Sequence, residues 1–284
     1  MFSGEIGEGW HGKLWNAAVI VIGTLFTAIF LFPYVYILLS SLKPSDEVIS
    51  TTPTFWPSDF TLENFKNMFN SMPIGDYFVN SLWAAILSTI ICVILGSMAS
   101  FAISRTMGSK FSYIFLVCVL CLKMLPLTSV AVPVYKIVQQ LGLYDMKITL
   151  IVVYSAINLP FVLWMMVSFF QAVPKDLDEA ACVDGATPFQ TFRKIILPVC
   201  APGIISTGIF TLLLAWNDFL FALLLTSTNA KTVPVAISEF LTAYNLDLGP
   251  MTSAAVLFSL PVIIISFFVQ RYLVSATMAG SVKE

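Results

Sequence analysis

No charged side chain occurs between Lys13 and Lys43, between Asp76 and Arg105, or between Lys147 and Lys175. Each interval is apolar and can hold a membrane-crossing helix, which needs about 20 mostly apolar residues. Two further stretches hold one charge each. Lys110 to Lys136 is interrupted only by Lys123, and Lys194 to Lys231 only by Asp218. A last charge-free stretch runs from Asp247 to Arg271. The pattern predicts six helices at about 16–40, 77–103, 111–133, 149–170, 203–226 and 252–274. The chain is thus expected to be an all-α integral membrane protein, one membrane domain over residues 1–284. The runs are continuous rather than alternating, which argues against a strand-built barrel. The first run exceeds the 7–15 residues of a signal-peptide core, so it reads as a span rather than a cleaved leader.

Composition agrees. Only 11% of residues are charged and 58% are hydrophobic, with mean hydropathy +0.90, whereas soluble domains carry about 25% charged residues. Lipid is the expected surrounding. The net charge of −2 leaves no basic stripe for nucleic acid.

Lys and Arg orient the spans. With the N-terminus inside, Lys13, Arg105, Lys110, Lys175, Arg193, Lys194, Arg271 and Lys283 fall on the inner side. Lys43, Lys66, Lys136, Lys147 and Lys231 fall outside. Cytoplasmic segments carry the excess, so both termini are expected in the cytoplasm. No cysteine reaches an outer loop and no disulfide is expected. Cys118 and Cys121 form a C-x-x-C within an apolar helix, where they read as small buried packing residues rather than a redox or metal pair. In the first outer loop, Thr61 reads as the cap of a short helix near the membrane surface. The aromatics Phe55 and Trp56 suit either the interface or a partner. The third outer loop ends in Asn245-Leu246-Asp247-Leu248-Gly249-Pro250, a partner contact or a plain linker.

The inner segment 171–202 is the most informative. Pro174 suits the first position of a helix, and Asp176, Asp178 and Glu179 follow in its first turn, where the helix dipole favours carboxylates. Leu177, Ala180, Ala181 and Asp184 share one face. Gly185 is placed to end the helix in a left-handed conformation. A second helix starts with Thr187 as cap and Pro188 at its first position, with Phe189, Phe192, Arg193 and Ile196 on one face. Arg193 and Lys194 lie near its end, and Pro198 breaks the run before the next span. Two capped helices joined at a sharp turn suit either docking into a groove on another protein or packing on the chain's own spans.

This segment resembles the EAA loop of ABC importer permeases. The pattern E-A-A-x-x-x-G-x(9)-I-x-L-P is met by Glu179-Ala180-Ala181, Gly185 and Ile195-Ile196-Leu197-Pro198. The likeness covers nearly the whole chain. It is greatest to the shorter permease of carbohydrate importers of the maltose-transporter type, through stretches such as Phe60-Thr61-Leu62-Glu63-Asn64-Phe65, Leu159-Pro160-Phe161 and Trp216-Asn217-Asp218. The tail departs slightly, with Ser281 and Glu284 where the family has alanine and glycine. The resemblance implies a six-helix importer permease with a cytoplasmic coupling loop. Glu179, Ala180, Ala181, Asp184, Gly185, Ala186, Phe189, Leu197 and Pro198 would dock on an ATPase. The implied partners are a second homologous permease, two ATPase subunits and an extracytoplasmic substrate-binding protein. The implied location is the prokaryotic cytoplasmic (inner) membrane. ATP and Mg would belong to the ATPase, with no cofactor or metal on this chain; no G-x-x-x-x-G-K-[ST] occurs in it. The implied substrate is a sugar or oligosaccharide moved by alternating access. A polyol, a glycerol phosphate or another small solute is the alternative.

Charges inside the membrane are costly, roughly 2.5–3.5 kcal/mol each on insertion scales, and face the bundle interior or a water-filled path. Asp218, with Asn217 and Trp216, offers acceptors and an aromatic face that suit a sugar ring. It equally suits a structural hydrogen bond or ion pair. Lys123, three residues before Pro126, either pairs with Asp218 or lines the path. Asn158 with Pro160 marks another irregular span. A membrane enzyme is disfavoured: the one histidine is His11, and no paired intramembrane carboxylates appear. A membrane scaffold is the remaining class.

Overall fold

The computed structural model describes the backbone of residues 10–105, 109–241 and 247–280 and the side chains of 14–105, 110–241 and 247–267. Asn245, Leu246, Ser281, Val282, Lys283 and Glu284, and the side chains of His11, Lys13 and Arg271, lie outside these residues.

The described residues form helices, with no extended strand among them. In chain order these are α1 (Trp10–Ser41), α2 (Ser45–Val48), α3 (Glu63–Ser71), α4 (Ile74–Arg105), α5 (Ser109–Met124), α6 (Leu127–Gln140) and α7 (Lys147–Ala172). After them come α8 (Asp176–Val183), α9 (Pro188–Thr191), a π-helical turn (Phe192–Ile196), α10 (Leu197–Val199), α11 (Ala201–Trp216), α12 (Leu220–Leu225), α13 (Val233–Glu239) and α14 (Leu248–Gly280).

Four segments are long and apolar enough to cross a membrane unbroken: Leu14–Ser41, Ile74–Arg105, Lys147–Ala172 and Leu248–Phe267. Two bent pairs complete six if each is one span. Lys110–Met124 meets Leu127–Gln140 at 86°, and Pro188–Val199 meets Ala201–Trp216 at 79°.

Three sequence expectations need correction here. The span expected over 111–133 is broken at Leu125–Pro126, because a residue ahead of proline is driven out of the helical region. The span expected over 203–226 stops at Trp216 and resumes at Leu220. The sharp bend before α11 falls at Cys200, not at Pro198, which lies within α10.

The chain packs as two compact units, Met1–Ser71 with Phe240–Leu257, and Met72–Glu239 with Phe258–Glu284. In the first, α1 is exposed from Leu14 to Pro33, half-buried at Tyr34 and at 36–39, and buried at Ser40 and Ser41. The buried Lys43 ammonium then organises the following loop. It donates to the Thr54 carbonyl and hydroxyl, lies 3.9 Å from Glu47 and sits over the Tyr36 ring. Glu47 accepts from the Thr54 hydroxyl and from the Ser58 amide and hydroxyl, which hold its pKa down to about 2. The expected short helix is α3, and the Thr61 hydroxyl accepts from the Glu63 amide (3.1 Å). Asn64 donates to the Ser41 and Lys43 carbonyls and accepts from Ser45. Gly249 lies so close that a Cβ there would come 2.2 Å from Asn64 Oδ1. Of the aromatics, Phe55 stacks on Phe32 (5.6 Å), while Trp56 stays exposed with its edge toward Phe60.

The second unit is built on α4 against α7. The buried positions of α4 include Ser81, Ala85, Ser88, Cys92, Gly96, Ser100 and Ile103, a stripe at helical spacing made mostly of small residues. Small side chains let the backbones approach: a Cβ on Gly96 would lie 2.5 Å from Val162 Cγ1. Cys92 Sγ donates to the Ser155 carbonyl and Ser100 to the Leu163 carbonyl (both 3.2 Å). α11 joins this pair with Gly203 against the Phe169 ring. Cys118 and Cys121 are exposed on α5, which corrects their reading as buried packing residues. The apolar period of α5 does not distinguish a face turned to the bundle from one turned away.

The loop at 226–232 is held by one carboxylate. Asp145 takes a positive φ (59°), which aspartate tolerates better than most residues. It accepts from the backbone amides of Ser227, Thr228, Asn229 and Ala230, and its own amide donates to the Leu225 carbonyl. Burial pushes its pKa up. Those four amides more than offset this, and the carboxyl ends well below the ordinary aspartate range. Asn80 adds two bonds, to the Asn229 and Lys231 carbonyls. Lys231 pairs with Glu239 at 2.6 Å.

A folded pKa below the unfolded one adds stability that is present above about pH 3.9 and is lost as pH falls toward the folded value. Asp145→Asn should therefore lower stability in detergent at pH 7 by about 1–3 kcal/mol. The wild-type advantage should shrink below about pH 4. Melting curves of both proteins across pH 3–7 check this.

Candidate functional site

The segment after α7 forms a projecting knuckle. Val173 is buried and extended, so the chain leaves the span abruptly. In α8 only Ala181 is buried. Glu179, Ala180, Asp184 and Gly185 are exposed, and Val183 is 88% exposed.

The helix stops in a Schellman arrangement. Gly185 has φ +78°, its amide donates to the Cys182 carbonyl, and the Ala186 amide reaches the Ala181 carbonyl. Thr187 then makes a capping box: its hydroxyl accepts from the Gln190 amide, and its own amide donates to Gln190 Oε1 at 2.8 Å. Pro188 occupies the first turn, as expected.

Beyond Thr191 the helix widens. The Leu197 amide bonds the Phe192 carbonyl, five residues back. This splits the expected face. Phe192 and Ile196 are buried against Phe170 and Met166, while Phe189 and Arg193 are exposed, because a π turn rotates successive side chains differently from an α turn. Leu197 packs beside that core, and Pro198 is exposed.

The expected docking residues thus separate by burial. Glu179, Ala180, Asp184, Gly185 and Phe189 form the outward ridge, Ala186 is half-buried, and Ala181 and Leu197 root it. Val183 belongs to the ridge but was missed; its spacing of four from Glu179 was the available signal. Arg105 was also missed. Its Nε lies 3.0 Å from Asp178 Oδ2, and its Nη2 donates to the Val173 carbonyl at 3.0 Å. A cavity of about 280 Å³ opens beside this pair, lined by Phe101, Arg105, Asp178, Glu179, Cys182 and Thr191.

The second candidate group does not assemble around one point. Trp216 is 4% exposed, stacked on Phe258 at 4.9 Å and edge-on to Phe78, with Nε1 donating to the Phe258 carbonyl. Asp218 caps α12: its Oδ1 accepts from the Phe221 and Ala222 amides. The buried Tyr154 hydroxyl lies beside the same carboxylate. Asn217 is exposed in the break and donates to the Leu213 carbonyl. Lys123 is exposed at the end of α5 and donates to the Ile157 carbonyl of α7. The partner given to Lys123 is thus a backbone carbonyl in the turn before Pro160 rather than Asp218.

Broken and continuous apolar helices, together with a capped and exposed knuckle, are the features of a membrane permease. In fold it is similar to a chain of a bacterial ABC transporter involved in the import of the acidic polysaccharide alginate, with TM-score 0.77, 17% identity, and coverage of 94% of this chain and 99% of that one. In sequence it is 34% identical over 266 residues to the trehalose transport system permease protein SugB of Mycobacterium tuberculosis, covering 93% of this chain and 96% of that one. It is 32% identical over 276 residues to the diacetylchitobiose uptake system permease protein DasC of Streptomyces coelicolor, covering 96% and 98%. The chain belongs to the family of binding-protein-dependent transport system inner membrane components, whose pattern matches residues 93–278. It is a multi-pass permease subunit of an ABC importer.

Thr187→Ala removes the hydroxyl of the capping box, worth about 1 kcal/mol. Hydrogen exchange at the Gln190 amide should speed by about 5-fold, with the spans unchanged.

Proposed function

We propose that this chain moves a sugar or oligosaccharide into the cytoplasm by alternating access, driven through the Glu179–Gly185 ridge by a separate ATPase. The observation that carries the reading is the knuckle itself. Its ends are closed by the Gly185 turn and the Thr187 box, its base is sunk through Ala181, Phe192 and Ile196, and its crest is left uncovered. Closed ends and a rooted base make a rigid projection, and small crest residues permit close approach by a groove. The sugar assignment draws support from the relatives named for trehalose and diacetylchitobiose uptake.

In this reading a second permease completes the path, two ATPase subunits hold ATP and Mg, and an outer binding protein delivers substrate. The Lys and Arg distribution supports cytoplasmic termini and a cytoplasmic knuckle. Asn217, exposed in the break after α11, and Lys123 at the α5 break are the polar groups most available to a substrate path. Trp216 and Asp218 keep that path's wall in shape, through the Phe258 stack and the α12 cap.

The test is purification of the tagged chain in mild detergent, with the associated proteins identified by mass spectrometry. A second permease and an ATPase are expected with the wild type. Glu179→Ala and Gly185→Val should still reach the membrane yet lower sugar uptake by about 10-fold or more, the scale of losing a central interface residue. Normal uptake by both variants would overturn the docking role.

A further inference from the structure

We propose that Arg105 is a positioning residue that passes movement of the α8 ridge to the α4–α7 pair; the proposal rests on the docking reading above. A force applied to the exposed face of α8 has few routes into the membrane. The covalent link, Val173 to Lys175, is a short non-helical connection that can bend. Ala181 is the only buried residue of α8, and a methyl group holds a helix weakly.

Beside the route through α9 to the buried Phe192 and Ile196, the direct polar route from α8 is the guanidinium. Arg105 ends α4, its Nε meets Asp178 in the first turn of α8, and its Nη2 bonds the Val173 carbonyl at the end of α7. One planar group on α4 therefore touches α8 and the end of α7, at 3.0 Å on each contact. Nη2 makes a directed hydrogen bond to the Val173 carbonyl while Nε meets Asp178 as an ion pair, two contacts that a compact lysine ammonium is not shaped to span. The Arg105 side chain is 9% exposed and that of Asp178 24%, so solvent screens the pair only partly.

What the guanidinium grips is itself stiff. Gly96 against Val162 and the Cys92 and Ser100 bonds lock α4 to α7 along the bilayer. A displacement delivered at Arg105 is then carried by both helices together.

The experiment uses the importer complex purified through this chain. Hydrogen exchange is compared with and without trapping by ATP and vanadate, in wild type, Arg105→Ala, Asp178→Asn and the exchanged pair Arg105→Asp with Asp178→Arg. Wild type should change protection both in α8 and at 101–105 and 169–173. Arg105→Ala and Asp178→Asn should keep the α8 change but lose the change at 101–105 and 169–173 by about 5-fold or more. The exchanged pair should restore part of it. Asp178→Asn is nearly isosteric and decides the matter if Arg105→Ala fails to accumulate. Single variants whose spans respond as in wild type would overturn the role of Arg105. A wild-type complex that lacks an ATPase, or shows no change in α8, would instead overturn the docking reading.

Discussion

Lipid offers no hydrogen bonds, so every interruption of a spanning helix has to be closed by the chain's own groups. This constraint accounts for where the few polar side chains have gone. The break after Trp216 frees the first amides of α12, and Asp218 accepts two of them. The break before Pro126 leaves α5 as a half-length helix, and Lys123 at its end bonds the Ile157 carbonyl. Asp145 closes the loop after α12 with four backbone amides. Asp218, which in the sequence looks like transport machinery, is therefore first of all the closure of a helix break.

Breaks serve a permease because a continuous helix presents only its side chains to a path. At Asn217, the first residue of the break after α11, the side-chain amide is exposed while it donates to the Leu213 carbonyl. The stiff α4–α7 seam and the broken α5–α6 and α11–α12 segments divide the second unit into a frame and its openings. The knuckle is rooted in the frame, through Phe192 and Ile196 beside Phe170 and Met166. Movement at the knuckle thus has a rigid body to act on.

The turn of the knuckle was legible in advance, although its first helix begins at Asp176 rather than at Pro174. Its signals are local: Pro188 after Thr187, Gln190 three residues from its cap, Gly185 at the end of an eight-residue helix. Each acts over a few bonds and needs no distant partner. The π turn at Phe192–Ile196 was not legible, because it depends on how Phe192 and Ile196 seat against α7. Cys118 and Cys121 show the same limit, since an apolar helix does not declare which of its faces is covered.

By itself the sequence determined the membrane class, the apolar segments, the stop of α8 at Gly185, the cap of α9 at Thr187 and the loop that marks the family. All of these follow from hydropathy, backbone conformational preference and short-range hydrogen bonding. Tertiary structure alone decided that Trp216 belongs to a stacked core, that Asp145 holds a loop 82 to 85 residues away, and that Arg105 joins three helices. Those roles depend on which side chains meet across long sequence separations, and a contact of that kind leaves no periodicity or spacing in the chain to be read.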